Sequence, residues 1–324
     1  MPRAPGRRAL LAAGAASAFP VRAQDWPARA VRWVVGYPPG GASDVMARLF
    51  GQAITTRIGQ PVVIDNRPGG GAVLATETVT RASADGYTLL TVDNGILVYN
   101  PVLYAKLPFD PDRDLVPVGF IGRFPLMILV RPDHPARDFA ALVAASGQAP
   151  DALTYGTPGV ASPHHLAMEM VKRRTGLSAT HVPYRGGPPA MNDLLAGLVD
   201  VAVMDTSTGL PFVTSGRARP LAALTERRSA MLPDVPTLVE LGHADAIAYG
   251  WQGVGVAAGT PDAMVARLNA ELVAAAALPE VAARLRAIGV ETDPADAAAF
   301  RGFVAREIAI WRPLIRELGL RIDN

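Results

Sequence analysis

Two loops in this 324-residue chain could hold an anion without a basic side chain. Residues 36–44 read Gly-Tyr-Pro-Pro-Gly-Gly-Ala-Ser-Asp, and residues 156–163 read Gly-Thr-Pro-Gly-Val-Ala-Ser-Pro. Each follows a β-like run, turns on Gly and Pro, and reaches a serine before a helical stretch. Ser43 and Ser162 are the expected helix N-caps, with Pro163 at the first helical position. A helix N-terminus presents free N–H groups and partial positive charge, which suits a carboxylate. Two ordinary capped turns would carry the same residues, so the pattern alone leaves both readings open. Asp44 would repel an anion in the first loop unless it points away or bonds to loop amides.

Other candidates are weaker. The turn 69–71 is Gly-Gly-Gly and could be lined by amides or simply be flexible. Arg185 precedes Gly-Gly-Pro-Pro at another helix start and could face a cleft or pair structurally. His164 and His165 lack metal-site spacing and a nearby carboxylate partner, which favours capping or hydrogen bonding over metal ligation. The chain has no Gly-x-Ser-x-Gly elbow, phosphate loop or His-Glu-x-x-His run. Gly253 and Gly255 lack the third glycine of a dinucleotide fingerprint. No cofactor and no metal are expected.

The elements that would position these loops alternate. Strands are expected at 31–35, 62–65 and 88–92, with helices over 43–58 and 73–81. A second series has strands at 153–155, 179–183, 199–204 and 221–224, with helices over 162–175 and 190–196. Such alternation predicts parallel sheets covered on both faces. Length, against about 100–200 residues per domain, also suggests two α/β units. Between the series lie extended runs at 116–130 and 248–257. Two such crossings would let two lobes hinge around a cleft. In the last helix Phe300, Phe303, Val304, Ile308, Trp311, Leu314, Ile315 and Leu318 form an apolar stripe that reads as core.

The N-terminus has an export pattern: Arg3, Arg7 and Arg8, then an apolar run over 9–19, then Val21 and Ala23 at small-residue positions for a cut after Ala23. Arg7-Arg8 also permits the twin-arginine route. Removing residues 1–23 takes four of the 31 basic residues, leaving 27 against 29 acidic. No basic stretch with interleaved aromatics remains, so a nucleic-acid role is unsupported. Cysteine is absent, which excludes disulfides, thiol catalysis and a lipidated N-terminal cysteine. A soluble periplasmic protein follows.

Several stretches resemble one family in order: YPPGGASDVMARL (37–49), YGTPGVASPHHLAMEM (155–170) and HVPYRGGPPAMNDLLAGLVDVAVMD (181–205) among them. They resemble the Bug (TctC-like) extracytoplasmic solute-binding proteins of tripartite tricarboxylate transporters, from Trp26 to the C-terminus. The resemblance implies an α/β, periplasmic-binding-protein-like fold of two lobes with a central cleft and two crossover strands. Lobe 1 would comprise 24–123 and 250–324, and lobe 2 would comprise 124–249. It also implies capture of a small carboxylated anion for membrane permease subunits, by a monomer. Ligand contacts carried over are Tyr37, Gly40, Gly41 and Ser43 in one lobe and Thr157, Val160, Ala161, Ser162 and His165 in the other. Tyr184 and Asp205 are candidates for the distal end of the ligand. The family often has glycine at Ala161 and serine at Thr157, and Asp93-Asn94-Gly95 is not its usual small-residue run.

Two alternatives remain at this level. One is a ligand-sensing receptor that feeds a signalling partner. The other is a secreted hydrolase using Ser162 and His165, three residues apart on one helical turn. Against the hydrolase, a capping serine has already used its oxygen, and Pro163 removes an N–H from any oxyanion hole.

Overall fold

The computed structural model describes residues 26–147, 153–293 and 295–322. The expected export segment, residues 1–23, lies outside the described residues. Strands β1 (Val31–Val35), β2 (Val62–Asn66) and β3 (Thr88–Asp93) are separated by helices α1 (Ala42–Ile58) and α2 (Val73–Thr80). A wide π-turn at Asn94–Tyr99 leads into α3 (Asn100–Leu103) and α4 (Pro111–Asp114), and then into the long strand β4 (Leu115–Val130). The second series is α5 (Phe139–Ser146), β5 (Thr154–Thr157), α6 (Pro163–Thr175), β6 (Thr180–Pro183), α7 (Gly187–Ala196), β7 (Val201–Asp205), α8 (Thr206–Thr214) and β8 (Arg219–Ala223). Strand β9 (Tyr249–Ala257) returns the chain to α9 (Asp262–Ala276), α10 (Pro279–Ala287) and α11 (Ala297–Leu318).

The strands join in the order β2-β1-β3-β9-β4-β7-β5-β6, with β8 also on β4. The predicted parallel pairing holds for β1 with β2 and β3, and for β5 with β6 and β7. It fails at the middle, where β9 is antiparallel to β3 and β4, and β4 is antiparallel to β7 and β8. The reason is connectivity. These strands carry the chain out and back between the two α/β units without a crossover helix, so they run opposite ways. Along β4 the partner changes from β9, ending at Pro125, to β7, starting at Leu126. One strand therefore belongs to both units.

Sequence explains the main supports. Strands β1, β3 and β4 are rich in Val, Leu and Ile and are buried on both faces. Helix α11 begins at the N-cap Asp296, which accepts from Ala299 N at 2.7 Å, and ends at Gly319 in the left-handed region. Its buried stripe is Phe300, Val304, Trp311 and Ile315, as the periodicity predicts. Trp311 meets the edge of Tyr99 at 5.8 Å between ring centres, so α11 braces the turn at 94–99. Gly253 permits this packing, because a Cβ there would sit 2.3 Å from Phe300 Cζ and 2.7 Å from Gly119 O. Gly253→Ala is expected to destabilise the fold by about 1–3 kcal/mol through overpacking. A denaturation midpoint equal to the parent's would show that Phe300 can move aside.

Candidate functional site

Strands β1, β3, β5 and β7 all end on one cavity of about 440 Å³, and α1 and α6 begin there. Crevices at the carboxyl ends of strands are the usual ligand sites of α/β sheets. The wall combines Tyr37, Ala42, Ser43, 250–252 and parts of 93–104 from one unit with 158–164 and Asp205 from the other.

On the second wall, Ser162 caps α6 as expected. Its Oγ accepts from His165 N at 3.3 Å and donates to Gly159 O at 2.8 Å. The hydroxyl is thus spent within the loop, and Ser162 forms no bond with the His165 ring. Ala161 lies in the left-handed region with φ 56°, which glycine adopts at no steric cost and alanine does not. Its N–H donates to His165 Nδ1 at 3.0 Å, an anchor that holds this backbone. The His165 ring stacks on His181 at 3.8 Å between centres, and His181 stacks on Tyr155 at 4.9 Å. His181 Nε2 bonds Thr157 Oγ1 at 2.7 Å. Burial pushes both histidines down, His181 to about 4, with the neighbouring His165 adding to the shift. Two neutral rings therefore form the floor under the loop. The amides of Val160 and His164 have no protein acceptor among the described residues.

On the first wall, Ser43 is not the N-cap. Gly41 holds that place in an extended conformation, and Ser43 lies inside the first turn of α1. Asp44 ties the loop instead, accepting from Gly40 N at 2.9 Å and from Arg48 and Asn66. The carboxylate therefore bonds to a loop amide, one of the two arrangements that remove its conflict with an anion. Burial raises the Asp44 carboxyl, but these bonds outweigh it and hold it below its ordinary value. Ser43 Oγ accepts from Gln252 Nε2. The amides of Ala42, Ser43 and Asp44 have no protein acceptor among the described residues. Tyr37 donates its hydroxyl to Asp93 Oδ2, and burial followed by that carboxylate pushes the phenol well up.

Of the residues expected at the ligand, Tyr37, Ser43, Val160, Ala161, Ser162 and Asp205 line the cavity. Gly40 and Gly41 are exposed and lie outside its wall. Thr157 and His165 are turned inward beneath the loop, and Tyr184 donates to Asp193 Oδ2 at 2.7 Å instead. The neighbour His164 reaches the wall where His165 was expected, with Nε2 3.0 Å from Asp205 Oδ2. Asn94, Trp251 and Gln252 also line it and were not expected. Asn94 Oδ1 accepts from Trp251 N at 2.8 Å, and Trp251 Nε1 donates to Glu307 Oε2 at 2.8 Å. Their signal in the sequence was positional, since Asn94 directly follows β3 and Trp251 and Gln252 sit near the start of β9.

The wall contains no Lys or Arg, while two helix ends offer free amides. No group of three or more metal-ligating side chains occurs among the described residues. No helix among them is long and apolar enough to cross a membrane. What the cavity offers is binding through fixed dipoles.

Residues 46–320 match the tripartite tricarboxylate transporter family receptor. The chain belongs to that family. As a receptor of this kind it is a solute-binding protein, and the family is periplasmic, works with tripartite transporters and is not a family of enzymes. Among similar receptors, the BugT protein of Bordetella pertussis is 34% identical, covering 97% of this chain and 96% of that one. The solved structure of Rpa4515 from R. palustris with adipate has a TM-score of 0.82 at 33% identity, covering 92% of this chain and 100% of that one. MatC from Rhodopseudomonas palustris with bound malate has a TM-score of 0.78 at 29% identity, covering 90% and 100%. The bilobal α/β fold expected of the receptor is that of these structures.

Proposed function

We propose that this receptor captures a small organic carboxylate in the 440 Å³ cavity and releases it to the permease subunits of a tripartite transporter. The observation that carries the reading is the pair of helix N-termini, α1 and α6, with unused amides at a cavity free of Lys and Arg. Hydrogen bonds to a charged acceptor are worth about 1.5–3 kcal/mol each, so three or four approach the roughly 8 kcal/mol of micromolar binding. The volume lies within the roughly 300–1,000 Å³ of small-molecule sites. That similar receptors hold adipate and malate supports a carboxylate here.

The ligand contacts on this reading are the amides of Ala42, Ser43, Val160 and His164. Ala161 and Ser162 shape the loop, while Thr157 and His165 hold it from beneath. Lobes 24–123 with 250–324 and 124–249 close by hinging, where β4 changes partners and where the chain re-enters β9. The protein works as a monomer in the periplasm after loss of residues 1–23. It performs no catalysis, because Ser162 Oγ and His165 Nδ1 are each engaged by backbone groups rather than by each other. Titration calorimetry with mono-, di- and tricarboxylates, amino acids and aromatic acids tests the reading. Micromolar binding of at least one small carboxylate is the expected result. Binding only of uncharged solutes would refute it.

A further inference from the structure

Resting on the carboxylate reading, the cavity wall carries a second chemical demand, made by acceptors rather than donors. Two carboxylates line it, Asp93 and Asp205, without a cationic lysine or arginine beside either. They are not equivalent. Asp93 has its oxygens engaged by Tyr37 and by Ile96 N at 2.9 Å, and burial pushes its carboxyl up. Asp205 is half-buried, which alone would raise it. The bonds from His164, Ser207 and Thr208 N outweigh that and hold it ionised, down to about 2.

An ionised carboxylate has about four lone-pair sites. Asp205 uses three, toward His164 Nε2 at 3.0 Å, Ser207 Oγ and Thr208 N at 2.8 Å, which leaves one. Because the carboxylate accepts, His164 Nε2 carries the proton in that bond. His164 is 8% exposed, and Nδ1 has no protein partner. Gln252 is 7% exposed; its amide nitrogen is engaged by Ser43, and its Oε1 has no protein partner either. Both side chains line the cavity. The free lone pair of Asp205 and the Gln252 oxygen are thus acceptors, whereas the unpaired backbone groups at the starts of α1 and α6 are donors.

We infer that the ligand of this cleft is a carboxylate that also bears a hydrogen-bond-donating ammonium or hydroxyl group, recognised by Asp205 and Gln252. The carboxylate sits at the helix ends, and the donor faces the acceptor side. A plain di- or tricarboxylate complements the wall poorly. Its second charge would meet the Asp205 carboxylate on a wall without lysine or arginine, and the buried Gln252 oxygen would stay unpaired.

Calorimetry on the full mature protein with matched acids tests this: succinate, malate and aspartate at four carbons, glutarate and glutamate at five. The expected result is that a hydroxy or amino member binds at least tenfold more tightly than its plain counterpart. Aspartate against malate distinguishes ammonium from hydroxyl. Asp205→Asn, which keeps a capping oxygen, should erase the preference and leave plain acids bound equally or more tightly. Gln252→Met, which removes the amide acceptor, should reduce the preference independently of Asp205. Plain acids binding as tightly as their partners would overturn the inference while leaving the carboxylate reading intact. So would an undiminished preference in both variants. No binding by any small carboxylate would remove both.

Discussion

Ser43→Asp is expected to weaken carboxylate binding several hundredfold without unfolding the protein. Ser43 lies in the first turn of α1 at the cavity wall, beside amides that have no protein acceptor. An aspartate there places a fixed negative charge where the ligand's carboxylate belongs. At about 4–5 Å and an effective dielectric near 20, the repulsion is about 3–4 kcal/mol. The helix itself tolerates the change, since an acid in its first turn favours the dipole. The bond from Gln252 Nε2 can also be accepted by a carboxylate oxygen. Ser43→Asn separates charge from size, because it adds similar bulk without charge and should cost no more than about tenfold, one lost neutral contact. Equal affinities for the two variants, measured by calorimetry with the best ligand of the panel, would rule out an anion at the helix ends.

The second large effect is one of pH. His181 is held neutral beneath the ligand loop, with its pKa pushed down to about 4 by burial and then by His165. Glu169 opposes that shift, Lys172 adds to it, and Tyr155 stacks on the ring from the other side. A folded-state pKa below the unfolded value means that the unfolded chain takes up the proton first. Stability from this group is therefore complete above about pH 7 and is lost as pH falls from 6.5 toward 4. At about 1.4 kcal/mol per unit, the loss is about 2–3 kcal/mol by pH 4.5. His165, also pushed down by burial, adds in the same direction. Asp93 and Glu307, pushed up by burial, act oppositely, so a comparison between variants reads His181 best. His181→Gln should lose about 2 kcal/mol less than the parent between pH 7 and 4.5, by denaturant titration at each pH. Parallel stability profiles would show that the ring does not titrate in that window.

Much of the frame was legible because each βα unit carries local signals: β-branched runs, Gly and Pro turns, and caps. Strands β1 and β2 and the start of α6 were readable for that reason. The segment 94–103 was not, because its apolar residues fit neither a period of two nor one of 3.6, and a π-turn follows neither. Helix α8 was missed because Gly209 and Pro211 interrupt it in sequence, though Asp205 caps it by accepting from Thr208 N. At the site, loops could be located but side-chain direction could not. Which of His164 and His165 faces the cavity depends on the turn at Ala161, whose positive φ no residue type announced. Gln252 and Trp251 were beyond reach because they sit in a strand whose partners, β3 and β4, are remote in sequence. Ser43 looked like a cap by composition, but the helix starts earlier, with Val45 N donating to Gly41 O, so Ser43 falls inside its first turn.

Strand β9 lies between β3 and β4, though both precede it in the chain. Leu90 pairs beside Gly255, and Leu115 beside Ala257. During synthesis, a nascent chain ending before residue 249 has β3 and β4 with no strand to join them, and each presents an open edge. Such distant pairing makes the closing step slow relative to local helix formation. The first unit cannot finish folding until the second has been made, so a growing polypeptide stays incomplete, and able to thread through a narrow channel, for most of its length.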